Sequence, residues 1–252
     1  MSAVTVERRD GIALVGLNRP EKLNAINDDV LDGLLDAVTR CGSAADVGAM
    51  VLFGHGRAFS AGGDIKAMDT MVERTFTVTI GKYMTVAAAF RACPRPIIAA
   101  LHGHVLAGGF ELACISDVRI AAAGTSFGLP DTPLGLSPTS GMTYLLPRIV
   151  GLGRALHLTL SAETFDAAEA ERIGLVSRVV PADRLMAEAE AYARRLASYP
   201  RIGVVNTKSG FYGALDGDFA AATRAEHGAE VACFRDPEVR QRFRDFLGRK
   251  RR

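Results

Sequence analysis

The run Pro96-Ile97-Ile98-Ala99-Ala100-Leu101, with the glycine-rich turn Gly103–Gly109 that follows it, constrains this chain more than any other stretch. Apolar residues bounded by proline and glycine read as a buried strand. The chain leaves that strand through closely spaced glycines, resumes as a helix over Phe110–Ile115, and returns as a strand over Val118-Arg119-Ile120-Ala121. Strand, turn, helix and strand in so short a span call for an α/β layer architecture.

The same rhythm runs upstream. Ile12–Leu17 reads as a strand closed by the turn at Arg19-Pro20-Glu21-Lys22. Asn27 then stands as N-cap to a helix whose one face is Val30, Leu31, Leu34, Leu35 and Val38, with Asp28 and Asp29 in its first turn. Ala49–Phe53 is a buried strand closed by Gly54-His55-Gly56, and 71–92 has helical spacing that Pro94 and Pro96 interrupt. From about 139 the pattern turns helical, near 140–148, 152–160, 166–173, 182–198 and 217–247, with a break at Asp236-Pro237. The expected division is an α/β core over 1–190 and a helical region over 191–252.

Composition excludes several classes. With 252 residues, 48% hydrophobic, the chain is long enough for one large core. A net charge of +2 gives no general reason to expect nucleic acid, and the basic end Gly248-Arg249-Lys250-Arg251-Arg252 reads as a solvated tail. Cys41, Cys93, Cys114 and Cys233 are scattered without a CxxC pair, which speaks against zinc or redox chemistry. There is no apolar signal segment and no run of about eighteen apolar residues, so a membrane is not expected and the cytoplasm is the expected compartment.

The chemistry concentrates in two glycine turns and two carboxylates. Gly108-Gly109 follows a buried strand and precedes a helix; such a pair either packs strand against helix or presents bare N–H groups at a helix start, where the dipole is positive. Ala61-Gly62-Gly63-Asp64 is a second such turn, followed by Lys66, a residue able to meet phosphate. Glu111 lies in the apolar segment Phe110–Ile115, where a carboxylate is costly to bury unless it is paired or used. Asp131, between Pro130 and Thr132-Pro133, suits either a turn or a site. His102 and His104 alternate as on one strand face, yet no third ligand is spaced to complete a metal site. No GxSxG, Walker loop or dinucleotide fingerprint occurs. Two N–H donors and two carboxylates are the parts needed to hold a developing oxyanion while protons move beside it, which points to an enzyme.

Arg57–Lys66 resembles the first signature of the enoyl-CoA hydratase/isomerase (crotonase) superfamily, and His102–Ala113 resembles the second. Leu17–Ala25, Phe127–Asp131 and Gly174–Ser177 are similar to further landmarks, so the resemblance runs nearly end to end. It implies a crotonase-like spiral of ββα units with a C-terminal helical trimerisation region, assembling as a homotrimer or hexamer. The implied ligand is an acyl-CoA thioester, with no further cofactor and no metal. By matching motifs, the N–H groups of Gly63 and Gly108 form the oxyanion hole, Glu111 and Asp131 are the catalytic carboxylates, and Lys22, Ala61, Gly63, Asp64, Ile65, Lys66 and Gly108 line the substrate path. Asp131 stands where hydratases carry glutamate, and Thr139 stands where isomerases and dehalogenases of the superfamily often carry aspartate. The implied activity is reversible hydration of a 2-enoyl-CoA, with an enoyl-CoA isomerase or a non-catalytic scaffold as rivals.

Overall fold

In the computed structural model, which describes residues 2–249, the chain opens with a hairpin: β1 (Val4–Arg9) pairs antiparallel with β2 (Ile12–Leu17). The turn residues Asp10 and Gly11 both have positive φ, the type I′ geometry that matches strand twist. After the cap Asn27, whose side chain accepts from the Val30 N–H, α1 (Asp28–Ser43) carries the chain to β3 (Ala49–Gly54), parallel to β2. α2 (Ile65–Asp69) and α3 (Glu73–Ala92) precede β4 (Ile97–Leu101), and β5 (His104–Leu106) and α4 (Gly108–Ile115) precede β6 (Val118–Ala122). β7 (Ser126–Gly128), α5 (Met142–Val150), α6 (Leu152–Ser161), β8 (Phe165–Asp166), α7 (Ala167–Arg172) and β9 (Arg178–Val180) come next. α8 (Leu185–Ala197), α9 (Arg201–Asp216), α10 (Phe219–Arg235) and α11 (Pro237–Arg249) complete the described chain.

The main sheet has the order β1-β2-β3-β4-β6-β9 and is parallel from β2 onward; β5, β7 and β8 form a smaller sheet beside it. Its central strands are apolar throughout because both faces are covered. Ile12, Leu14, Ala49, Val51, Ile98, Ala100, Ile120 and Ala122 pack with Leu185, Ala189 and Ala193 of α8. Their alternating neighbours, among them Val15, Leu17, Met50, Leu52, Ile97 and Leu101, belong to the larger core shared with α1, α3 and α4.

The expected α/β core with a helical C-terminal part is present, and the strands at Ile12, Ala49, Ile97 and Val118 begin within a residue of their expected places. The sequence reading contained neither β1, although Asp10-Gly11 is a hairpin signal, nor α9, β5 and the short strands β7–β9. The placement of His102 and His104 on one strand face needs correction. Gly103 between them turns left-handed at φ +60, where an added Cβ would collide with the Arg57 carbonyl. His102 therefore lies before β5, its Nε2 3.1 Å from the Gly56 carbonyl, while His104 is exposed. Among the described residues no group of three or more His, Cys, Asp or Glu is placed to hold a metal ion, and no helix is long and apolar enough to cross a membrane.

The division drawn at residue 190 falls inside α8, whose Ala193 still packs on the sheet. The helical extension begins instead at α9, tied down by Lys208: its Nζ donates to the Phe90 and Arg95 carbonyls and lies 2.8 Å from Asp117 Oδ2. Most of the basic tail, residues 250–252, lies outside the described residues.

Candidate active site

The first glycine turn is clamped by the segment after β2. Leu23 and Asn24 both adopt positive φ, and the buried Asn24 amide donates to the carbonyls of His55 and Ala58. The Leu23 carbonyl accepts from Ala61 N–H, Ile26 N–H donates to Gly62, and Asp64 N–H donates to Ile26. Ser60 Oγ both donates to the Asn24 carbonyl and accepts from Gly62 N–H. Asp64 caps α2 and pairs with Arg19 at 2.8 Å, and that guanidinium, by hydrogen bonding first, holds the carboxyl below its ordinary range. Within this tightly bonded turn, the Gly63 N–H donates to no protein group among the described residues.

The second turn is strained. Ala107, between β5 and α4, sits at φ +46 and ψ −122, a conformation that costs a non-glycine residue about 1–3 kcal/mol. Its N–H is held by Gly128 and its carbonyl by Glu111 N–H, both at 3.0 Å. The two explanations for Gly108-Gly109 each apply to one residue. A Cβ at Gly109 would lie 2.5 Å from the Ser60 carbonyl oxygen, so this glycine lets the two turns pack together. Gly108 opens α4, and its N–H, one of the unpaired groups of a helix start, meets no protein acceptor among the described residues.

Gly63 and Gly108 line one cavity of about 250 Å³ together with Ala61, Ile65, Glu111 and Asp131. Its remaining wall includes Met68, Phe76, Ile80, Tyr83, Leu134, Leu136 and Thr139. Glu111 projects from the buried helix α4 and is only 3% exposed. Thr139 N–H donates to its Oε1 at 2.5 Å, while Thr139 Oγ1 at 2.6 Å and Ser140 Oγ at 2.8 Å donate to Oε2. Burial pushes the Glu111 carboxyl above its ordinary range, and these three donors oppose the rise by favouring the carboxylate. Asp131 precedes the short 3-10 turn Thr132–Leu134, and its buried Oδ2 has no hydrogen-bond partner among the described residues. Burial raises its carboxyl too, opposed by its own backbone N–H.

Of the residues singled out from sequence, the fold brings Ala61, Gly63, Ile65, Gly108, Glu111 and Asp131 to one cavity. Lys22 and Lys66 are exposed and Asp64 is paired with Arg19; none of these three lines it. Sequence reasoning did not find Tyr83, Ser140 or the Arg19–Asp64 pair. It singled out Thr139 for the missing aspartate, not for the two hydrogen bonds it makes to Glu111. The helical spacing of Phe76, Ile80 and Tyr83 was readable as one face of α3, but nothing local shows what that face meets.

The sequence model of the family described as enoyl-CoA hydratase/isomerase matches residues 7–251. A crotonyl-CoA hydratase of Syntrophomonas wolfei is 34% identical over 252 residues, spanning 98% of this chain and 96% of that protein. A probable enoyl-CoA hydratase of Mycobacterium tuberculosis is 43% identical over 195 residues, 77% of this chain and 75% of its own length. The crystal structure of enoyl-CoA hydratase from Bacillus anthracis superposes with a TM-score of 0.95 at 30% identity, covering 98% of this chain and 96% of that one. The ββα spiral with its C-terminal helices is therefore the crotonase-like fold, and this chain belongs to the enoyl-CoA hydratase/isomerase family.

Proposed function

We propose that this protein catalyses reversible addition of water to a 2-enoyl-CoA thioester. The observation that carries the reading is one cavity lined by two glycines whose N–H groups meet no protein acceptor among the described residues, by the buried carboxylate of Glu111 and by the half-buried carboxylate of Asp131, whose Oδ2 has no partner there. As water adds at Cβ, charge develops on the thioester oxygen. Donation from the N–H groups of Gly63 and Gly108 would stabilise that charge in the transition state more than in the ground state, and removal of one such donor typically costs about 10²–10³ in rate. The carboxylates divide the proton work. Glu111, held by three donors that favour its ionised form, takes the proton of the attacking water. Asp131, raised by burial and with Oδ2 free, carries the proton delivered to Cα; elimination runs the same steps backward. The names of the relatives, enoyl-CoA hydratase and crotonyl-CoA hydratase, agree with this reaction.

The CoA arrives with the substrate, and the reaction as written needs no other cofactor. Lys22 and Lys66 remain the candidates for its phosphates outside the acyl cavity. The exposed side chains Phe211, Phe219, Phe234, Phe243 and Leu247 on α9–α11 support self-association as a trimer or hexamer. Four free cysteines, three of them buried, fit the reducing cytoplasm.

The test follows loss of the conjugated-thioester absorbance over a panel of enoyl-CoAs, with product mass analysis, for wild type, Glu111→Ala and Asp131→Ala. Each substitution is expected to lower kcat by about 10²–10⁴. Unchanged rates in both variants would sink the two-carboxylate mechanism, and a rearranged product without an added hydroxyl would move the protein to double-bond isomerisation.

A further inference from the structure

Phe76, Ile80 and Tyr83 share one face of α3 and form a wall of the cavity. The wall is apolar except at one atom, the hydroxyl of Tyr83. This residue is 4% exposed, and its hydroxyl has no hydrogen-bond partner among the described residues. The ring is buried, but the hydroxyl is not among the fully buried unpaired polar atoms and keeps access to the cavity, where a bound molecule can be its partner. Its position narrows what that partner is. A Cβ built on Gly108 would lie 3.3 Å from the Tyr83 hydroxyl, and one built on Gly63 would lie 3.5 Å from it. The hydroxyl thus sits against both turns whose N–H groups line the cavity, on the side where neither glycine carries a side chain.

We propose that Tyr83 is a third hydrogen-bond donor to the thioester oxygen, acting beside the N–H groups of Gly63 and Gly108. This rests on the hydratase reading of the same cavity. A tyrosine hydroxyl suits the task because it stays protonated there: burial, and then the charges of Glu111 and Asp131, push its ionisation above the ordinary range. Unlike a backbone N–H, the hydroxyl rotates, so it follows the oxygen as the planar enoyl thioester becomes enolate-like. Among the described residues the hydrogen bonds to the Glu111 carboxylate come from Thr139 and Ser140, and none comes from Tyr83.

The experiment replaces the hydroxyl and keeps the ring. In the full chain, Tyr83→Phe is expected to lower kcat for crotonyl-CoA hydration by about 10²-fold with KM little changed, the pattern of a bond that strengthens in the transition state. Tyr83→Met, which fills the space without a donor, gives a loss at least as large. A second readout is independent of turnover: cinnamoyl-CoA bound to wild type is expected to show a red-shifted absorbance from polarisation of its carbonyl, and the shift is expected to shrink in both variants. A kcat within about twofold of wild type together with an unchanged shift overturns the role of Tyr83 and leaves the hydratase reading intact. If wild type hydrates no enoyl-CoA yet shifts the cinnamoyl spectrum, the hydratase reading fails and the spectrum alone decides Tyr83. A wild type that neither hydrates nor shifts overturns both.

Discussion

Replacing Thr139 by valine removes one hydroxyl from the Glu111 carboxylate while leaving the side-chain shape and the backbone N–H in place. The consequence follows from how Glu111 is held. Its carboxyl is already raised by burial, and donation by Thr139 Oγ1, Thr139 N–H and Ser140 Oγ pulls it back toward the ionised form. A hydrogen bond to a charged group is worth about 1.5–3 kcal/mol, and about 1.4 kcal/mol corresponds to one pH unit. Ser140 Oγ still serves Oε2 in the variant, so the loss sits at the low end of that range. The sign is fixed: fewer donors leave burial less opposed, the carboxyl rises further, and a smaller fraction is ionised at a given pH. The acid limb of kcat/KM against pH is therefore expected to move upward by about one pH unit in Thr139→Val, and by about two in Thr139→Val with Ser140→Ala. Thr139→Ser, which restores a hydroxyl, keeps the wild-type limb. The assay is the initial rate of enoyl-CoA hydration across pH at subsaturating substrate. A limb that stays within about a third of a pH unit, or that moves downward, would refute both the holding role of Thr139 and the assignment of Glu111 as base.

Gly109→Ala places a methyl 2.5 Å from the Ser60 carbonyl oxygen, a backbone atom that cannot step aside. It is expected to destabilise the fold by about 1–3 kcal/mol in denaturant melts, and a melt indistinguishable from wild type would show that the two turns do not pack as described. Phe219, 85% exposed, lies on the C-terminal helical extension. Light scattering is expected to give the mass of a trimer or hexamer for wild type and a smaller species for Phe211→Asp with Phe219→Asp, whereas a monomeric wild type would remove the assembly reading.

Legibility along this chain followed sequence distance. The Asn27 cap, the apolar strands and the glycine turns involve neighbours a few residues apart, and their chemistry shows in the local pattern. The two faces of the sheet were harder to separate, because Ile97-Ile98-Ala99-Ala100-Leu101 is apolar on both sides and its period is hidden. α9 escaped for a related reason: apolar, polar and glycine residues interleave along it, and its anchor, Lys208, is defined by carbonyls more than a hundred residues away.

What the sequence determined by itself was the α/β rhythm, the two glycine turns, Glu111 and Asp131 as carboxylates in apolar or proline-bounded settings, and the resemblance that the family match bears out. What only the tertiary structure decided was how these parts meet. The hydroxyls that hold Glu111 come from residues 28 and 29 positions away, Tyr83 reaches Gly63 and Gly108 from α3, and Arg19 ties Asp64 back to the opening turn. Such contacts leave no periodic trace, because they depend on the docking of separate elements into one core, and docking is set by the burial of all their apolar faces together.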